Sequence, residues 1–170
     1  MTRDQKIVAA GAVSGIVSML AAMWLLTTQL PVPMGVEALA ERLAYAARWL
    51  AFAALPLFAM VAAVGNARFA SEAIDPTLGA EDRTIVVNGR VADNTTQQLL
   101  IFACALLGLA ASLPPEYMGV VRAAALWFVA ARTAFWIGYR IHPLYRAFGF
   151  ASTAYLNLGL LLTAVWQAVT

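Results

Sequence analysis

Residues 119–150 read GVVRAAALWFVAARTAFWIGYRIHPLYRAFGF. Gly119 to Tyr139 is an apolar block long enough to cross a bilayer as a helix, which takes about 20 residues. Only Arg122 and Arg132 put charge into it. Arg132 lies about two turns in from the end. A guanidinium at the bilayer centre costs about 2.5–3.5 kcal/mol on insertion scales, so it turns toward a polar partner or a watery cavity. Arg140 to Arg146 is a tight basic turn broken by Pro143, and a second apolar block opens at Ala147. This one stretch therefore predicts two spanning helices, with cationic groups gathered where they meet.

The same reading extends outward in both directions. Toward the C-terminus, Ala147 to Val169 is a spanning helix. Toward the N-terminus, a helix starts near Arg90, stays polar through Gln98, turns apolar from Leu99 to Leu113 and stops at Pro114-Pro115. Another covers about Leu43 to Val64, with Pro56 in its middle and Gly65-Asn66 marking its end. Proline is tolerable there because neighbouring helices satisfy the freed carbonyl. Residues 65 to 89 form the long polar connection, in which Thr84 to Val87 reads as a short extended piece. Ile7 to Leu30 is a further apolar block behind Arg3 and Lys6. Basic residues before an apolar run also describe a signal peptide, but this run exceeds a typical h-region. Leu30-Pro31-Val32-Pro33 is also a poor cleavage site, so the block reads as a retained helix.

The chain is thus expected to be all-α, an integral membrane bundle of five spanning helices. Its composition agrees, with 62% hydrophobic and 12% charged residues against roughly 25% charged in soluble domains. A formal charge of +2 without a basic run excludes nucleic acid as a partner and leaves membrane lipids. Cys104 is alone, forms no intrachain disulfide, and reads as a small core hydrophobe. His142 reads as a solvated turn residue with no second metal ligand nearby. Lysine and arginine set orientation. With the N-terminus inside, Arg3, Lys6, Arg68, Arg83, Arg90, Arg140 and Arg146 fall on the cytoplasmic side, leaving chiefly Arg42, Arg48 and Arg122 on the other. The N-terminus is expected to be cytoplasmic and the C-terminus on the opposite side.

Candidate chemistry collects at the basic helix ends. Arg90, Asn94 and Gln97 stand at i, i+4 and i+7, and so share a helix face. Arg132, Phe135 and Tyr139 stand at i, i+3 and i+7 on the next helix, while Arg68 closes one helix and Arg146 opens another. Converging guanidinium groups beside amides and a phenol make a receptor for an anionic, peptide-like ligand. Arginines at helix ends also satisfy the positive-inside rule with no further purpose. For Arg132, a structural bond to Asn94, Gln97 or a carbonyl stands beside ligand binding. The sequence carries no paired carboxylates, nucleophile triad, phosphate loop or metal-ligand spacing.

Three segments together resemble the MAPEG family, the membrane-associated proteins of eicosanoid and glutathione metabolism. They are Gly65-Asn66-Ala67-Arg68 followed by Ala73-Ile74-Asp75-Pro76, then Arg90 through Gln98, then Arg132 through Tyr139 with Pro143, Arg146 and Phe150. The resemblance covers about residues 45 to 168. It implies a four-helix domain at 43–170, preceded by an additional transmembrane helix and connection at 1–42. It also implies a homotrimer that binds glutathione between subunits near the cytoplasmic face. By that resemblance Arg68, Arg90, Asn94, Gln97 and Tyr139 fall where glutathione is held, and with Arg132, singled out by its place within the membrane, they are the candidate ligand-binding residues. Arg146 is the candidate catalytic residue, a cation that stabilises the thiolate for transferase or peroxidase chemistry on a lipophilic small molecule. Three positions depart from the family's pattern. Gln97 stands where an acid is expected, Asp93 where a basic residue is common, and Phe135 where some members have His. Gln97 and Asp93 favour the alternative, a non-catalytic protein of the same fold that binds a lipid or a protein partner. A small transporter is the poorer reading, because the helices show no inverted repeat.

Overall fold

The computed structural model describes residues 1–170 and contains helices and turns but no strand. Helix α1 spans Arg3–Gln29. Thr2 caps it: its hydroxyl accepts from Gln5 N while the Gln5 side chain accepts from Thr2 N, so two end donors are satisfied reciprocally. The second span, Leu39–Phe69, is one membrane-length segment in two helices, α2 (Leu39–Ala53) and α3 (Leu55–Phe69). Pro56 has no N–H to donate and divides them. Helical geometry nevertheless carries across the break, because Ala54 keeps helical dihedrals and its carbonyl accepts from Phe58 N at 3.1 Å. Gly65-Asn66 does not end the helix, which runs on to Phe69.

Helix α4 spans Arg83–Ser112 and begins seven residues before the Arg90 expected from the sequence. Asp82 accounts for the early start. Its side chain accepts from Ile85 N at 2.8 Å, the usual role of an aspartate at a helix N-cap. Thr84 to Val87 is therefore the first turn of α4 and not an extended piece. Before it, Glu72–Ile74 and Pro76–Leu78 are single 3₁₀ turns. The Asp75 carboxyl accepts from the Thr77 hydroxyl and from Thr77 N–H, and these bonds hold its pKa below the usual carboxylate value. Helices α5 (Gly119–Ile141) and α6 (Arg146–Val169) follow, joined by the 3₁₀ turn Pro143–Tyr145.

Five segments are long and apolar enough to cross a membrane. The molecule is a helical membrane bundle in which α6 is central, packed against α1, α4 and α5, while α2 and α3 cover α4 from the other side. The core lies between α4, α5 and α6, where Phe102 stacks on Phe128 at 4.5 Å among Leu106, Leu109, Val121, Leu156 and Leu160. Outward faces carry Trp24, Phe58, Leu162 and Trp166, as a lipid-facing surface requires, and Leu100 is likewise exposed on α4. Cys104 belongs to that outward surface of α4 and not to the core. It falls on the stripe Asp93, Gln97, Leu100, Cys104, which a period near 3.6 turns away from the bundle.

Close backbone approach locks α1 to α6. A Cβ on Gly15 would stand 2.3 Å from the Phe148 carbonyl oxygen, and one on Gly11 would stand 3.1 Å from the Ala147 Cβ. Small residues at such crossings are how membrane helices gain contact without a hydrophobic driving force. Ser152 adds polar links: its hydroxyl donates to the Gly15 carbonyl at 3.0 Å and accepts from the Trp127 indole at 3.1 Å. At the far end of the bundle, Arg42 donates to the carbonyls of Ala110 and Glu37, and Arg122 donates to that of Pro31. These two arginines serve the backbone.

Candidate functional site

Arg132 is 0% exposed in the middle of α5. Its guanidinium donates to the Asn94 side-chain oxygen and the Thr95 hydroxyl on α4, and to the Thr153 hydroxyl on α6, each at 3.0 Å. The Phe135 ring lies 3.9 Å below its central carbon. Thr153 can accept because its own proton goes to the Gly149 carbonyl. No carboxylate is among these partners, so the charge is met by neutral oxygens and one aromatic face, and Nε has no partner. This arrangement joins three helices and fixes Asn94 by its oxygen. Of the partners expected for Arg132, the structure supplies Asn94 and not Gln97; Thr95 and Thr153 are the additions.

One turn nearer the basic end, a cleft of about 550 Å³ opens between α1, α4, α5 and α6. Four polar side chains gather at its basic end, Arg90 and Asn94 from α4, Tyr139 from α5 and Arg146 from α6, and Tyr155 of α6 lines its far end. Arg146 donates to the Tyr139 hydroxyl at 3.0 Å, and its guanidinium sits 5.0 Å from the centre of that ring. Tyr139 is buried and stands edge-on to Phe135 at 5.9 Å, which fixes the direction of its hydroxyl. The single ion pair of the chain is Arg68 with Glu81. Arg90 and Arg146 therefore face the cleft without a carboxylate partner. The remaining walls are apolar apart from the Tyr155 phenol and come from α5, the Pro143–Tyr145 turn, α6 and α1, the last through Val8 and Ala12.

Arg68 lies elsewhere. It pairs with Glu81 in a second cleft of about 540 Å³ between α3 and α4, where Asp93 also resides. Arg90 touches both clefts and is their common wall. Gln97 is exposed on the outer side of α4 and lines neither. The reason is angular. Positions 94 and 98 differ by about 40° around a helix and positions 94 and 97 by about 60° the other way. The inward place deeper on α4 thus falls to Gln98, whose carbonyl and side-chain oxygens both accept from the buried Asn157 amide. Within one chain, four of the seven residues singled out from the sequence, Arg90, Asn94, Tyr139 and Arg146, share a cleft. Arg132 braces it from below. The participation of Val8, Ala12 and Tyr155 was not legible, because it depends on which helices are neighbours.

Chemically, the cleft offers two uncompensated cations, an amide and a phenol at one end and an apolar slot at the other. It suits an anionic group joined to, or reacting with, a lipophilic one. Compared with known proteins, the MAPEG family model matches residues 46–166. No curated protein and no solved structure matches the chain.

Proposed function

We propose, because the chain belongs to the MAPEG family, that the cleft holding Arg90, Asn94, Tyr139 and Arg146 binds glutathione and that the protein joins glutathione, through its thiol sulfur, to a lipophilic electrophile. The observation that carries this reading is the pairing of Arg146 with Tyr139 in a cleft that contains no carboxylate. The residues fit the ligand's anionic parts. Two guanidinium groups free of acidic partners can grip two carboxylates, with Asn94 beside them. Its ammonium group is less well served, since Asp93 lies beyond Arg90 in the neighbouring cleft. Glutathione, when bound, supplies a sulfur nucleophile. Arg146 places a positive charge where that sulfur would lie, which favours thiolate over thiol. The Tyr139 hydroxyl accepts from Arg146, so its own proton is free to point into the cleft as a donor to sulfur.

The reading extends to assembly and orientation. Asp93 and Gln97 stand on the outward stripe of α4 with Leu100 and Cys104. Polar groups facing lipid at that depth are costly, so this face is taken to meet a second copy in a homotrimer, where Arg68 and Gln97 complete a neighbour's site. Residues 1–42 then precede the family bundle as an added helix. Calorimetric titration of the purified protein is expected to show one glutathione per chain, on a particle whose light-scattering mass corresponds to three chains. No heat at millimolar glutathione would remove the enzyme reading. It would leave the second reading, a non-catalytic lipid- or partner-binding protein, which the placement of Arg68 and Gln97 outside the cleft favours. The bias of lysine and arginine puts the basic end in the cytoplasm. In a Cys104→Ser background, the Ala80→Cys thiol is expected to react with an impermeant maleimide from the cytoplasmic side alone; reaction from the opposite side overturns the orientation.

A further inference from the structure

Helix α1 enters the cleft in a way that its docking makes rigid. Val8 and Ala12 stand one turn apart on the same side of α1, and both line the cleft. Ala12 is flanked by the two points of closest approach to α6. Gly11 precedes it against Ala147, and Gly15 follows one turn later, where a Cβ would strike the Phe148 carbonyl. The Ser152 bond to the Gly15 carbonyl ties that turn to α6. The Ala12 methyl is therefore held at a fixed height facing the cleft. Ala147 and Ala151 line the cleft from α6, with Phe150 and Tyr155 beside them. Three alanines keep the facing walls of two closely apposed helices free of bulk, and the slot they line runs along the helix axes. Tyr155 lies nine residues beyond Arg146, roughly 13 Å deeper at 1.5 Å per residue. The volume lies within the ~300–1,000 Å³ range of small-molecule sites.

We propose that α1 forms the wall of an apolar slot that takes a linear alkyl chain, and that Ala12 is the specificity-determining residue for the lipophilic substrate. The inference rests on the reading above for what happens at the polar mouth, but the slot itself does not need glutathione. A slim single chain fits between alanine-faced helices with its head among Arg90, Tyr139 and Arg146.

Two measurements separate this inference from the enzyme reading. The first uses the full chain in lipid nanodiscs with Cys104→Ser. The rate at which N-ethylmaleimide modifies the Ala12→Cys thiol is compared with and without dodecan-1-ol. Val17→Cys, 59% exposed on α1, is the control. Dodecan-1-ol is expected to slow modification several-fold at position 12 and not at position 17. Equal effects at both positions, or none, overturn the slot. The second follows glutathione addition to trans-2-alkenals of six and twelve carbons. Sulfur bonds to the β carbon, the alkene electron pair moves to the α carbon, and that carbon takes a proton, so nothing leaves. Ala12→Trp is expected to lower kcat/KM for the twelve-carbon alkenal relative to the six-carbon one by about tenfold. An unchanged ratio, with wild-type protein active, overturns the role of Ala12 and leaves the enzyme reading standing. Inactive wild-type protein that still shows protection at position 12 removes the enzyme reading and keeps the slot.

Discussion

Gly149→Leu is expected to prevent the bundle from assembling. On α6, Gly149 lies so close to α5 that a Cβ would stand 2.5 Å from the Ala131 carbonyl oxygen, 2.5 Å from Phe135 N and 2.6 Å from the Phe135 Cβ. Two of those atoms are backbone, within a helix fixed on its other side by α4 and α2. They cannot step aside as a side-chain tip would, so the helices themselves must part. Parting them strips Thr153 from Arg132, because the threonine is one turn beyond Gly149 and bonded to its carbonyl. A guanidinium that is fully buried in the intact bundle then loses one of its three oxygen partners. Overpacking alone costs about 1–3 kcal/mol, and a disturbed buried charge adds several more. The sum is about the whole stability of an ordinary domain. Size-exclusion chromatography of the detergent extract should show aggregate in place of a single peak. Gly159→Leu on the same helix, where a Cβ meets nothing within 4 Å, should elute and melt like wild type. A monodisperse Gly149→Leu protein with unchanged melting would show that α5 and α6 are not so closely apposed.

The number and order of the spans were legible because length and hydropathy alone define a membrane helix, and those properties are local. The start of α4 was not. Arg83 to Gln98 is too polar to read as lipid-facing, yet Ile85, Asn88, Val91, Thr95 and Gln98 make an inward stripe whose partners are protein. Trp136 takes Asn88 through its indole N–H at 2.9 Å, and Asn157 takes Gln98. Such a stripe satisfies polar groups side by side and carries no hydropathy signal. The candidate site divides along the same line. Arg146 and Tyr139 meet across a short turn, so their association was within reach of sequence spacing. Ala12 and Ala151 come from helices more than a hundred positions apart, and only the glycine approach of α1 to α6 brings them to one cleft. Gln97 shows how fine the margin is. One position along a helix is about 100° of rotation, which suffices to put Gln98 inside the bundle and Gln97 outside.

Arg146→Ala is expected to lower the rate of glutathione transfer by about 10²–10³-fold, the usual cost of removing one group that stabilises charge at a reacting centre. The effect should fall on kcat more than on glutathione affinity, since Arg90 and Asn94 remain to hold carboxylates. Arg146→Lys should recover part of the loss, because an ammonium keeps the charge but lacks the planar guanidinium's fixed fork, which holds one N–H on Tyr139 while presenting others to sulfur. A purely structural arginine would behave differently. Arg146 is exposed, and its one side-chain hydrogen bond is to Tyr139, so its loss should leave melting close to wild type. The pH profile gives the sharper readout. A cation beside sulfur lowers the thiol pKa, so the wild-type rate should level off below the free-thiol value of about 8.5. Without the cation, thiolate accumulates only as pH rises through that value, so the Arg146→Ala rate should keep climbing toward pH 9 and narrow the gap to wild type. Parallel profiles, with both rates flattening at the same pH, would mean that Arg146 does not act on the sulfur. Its contact with Tyr139 would then serve to shape the cleft mouth alone.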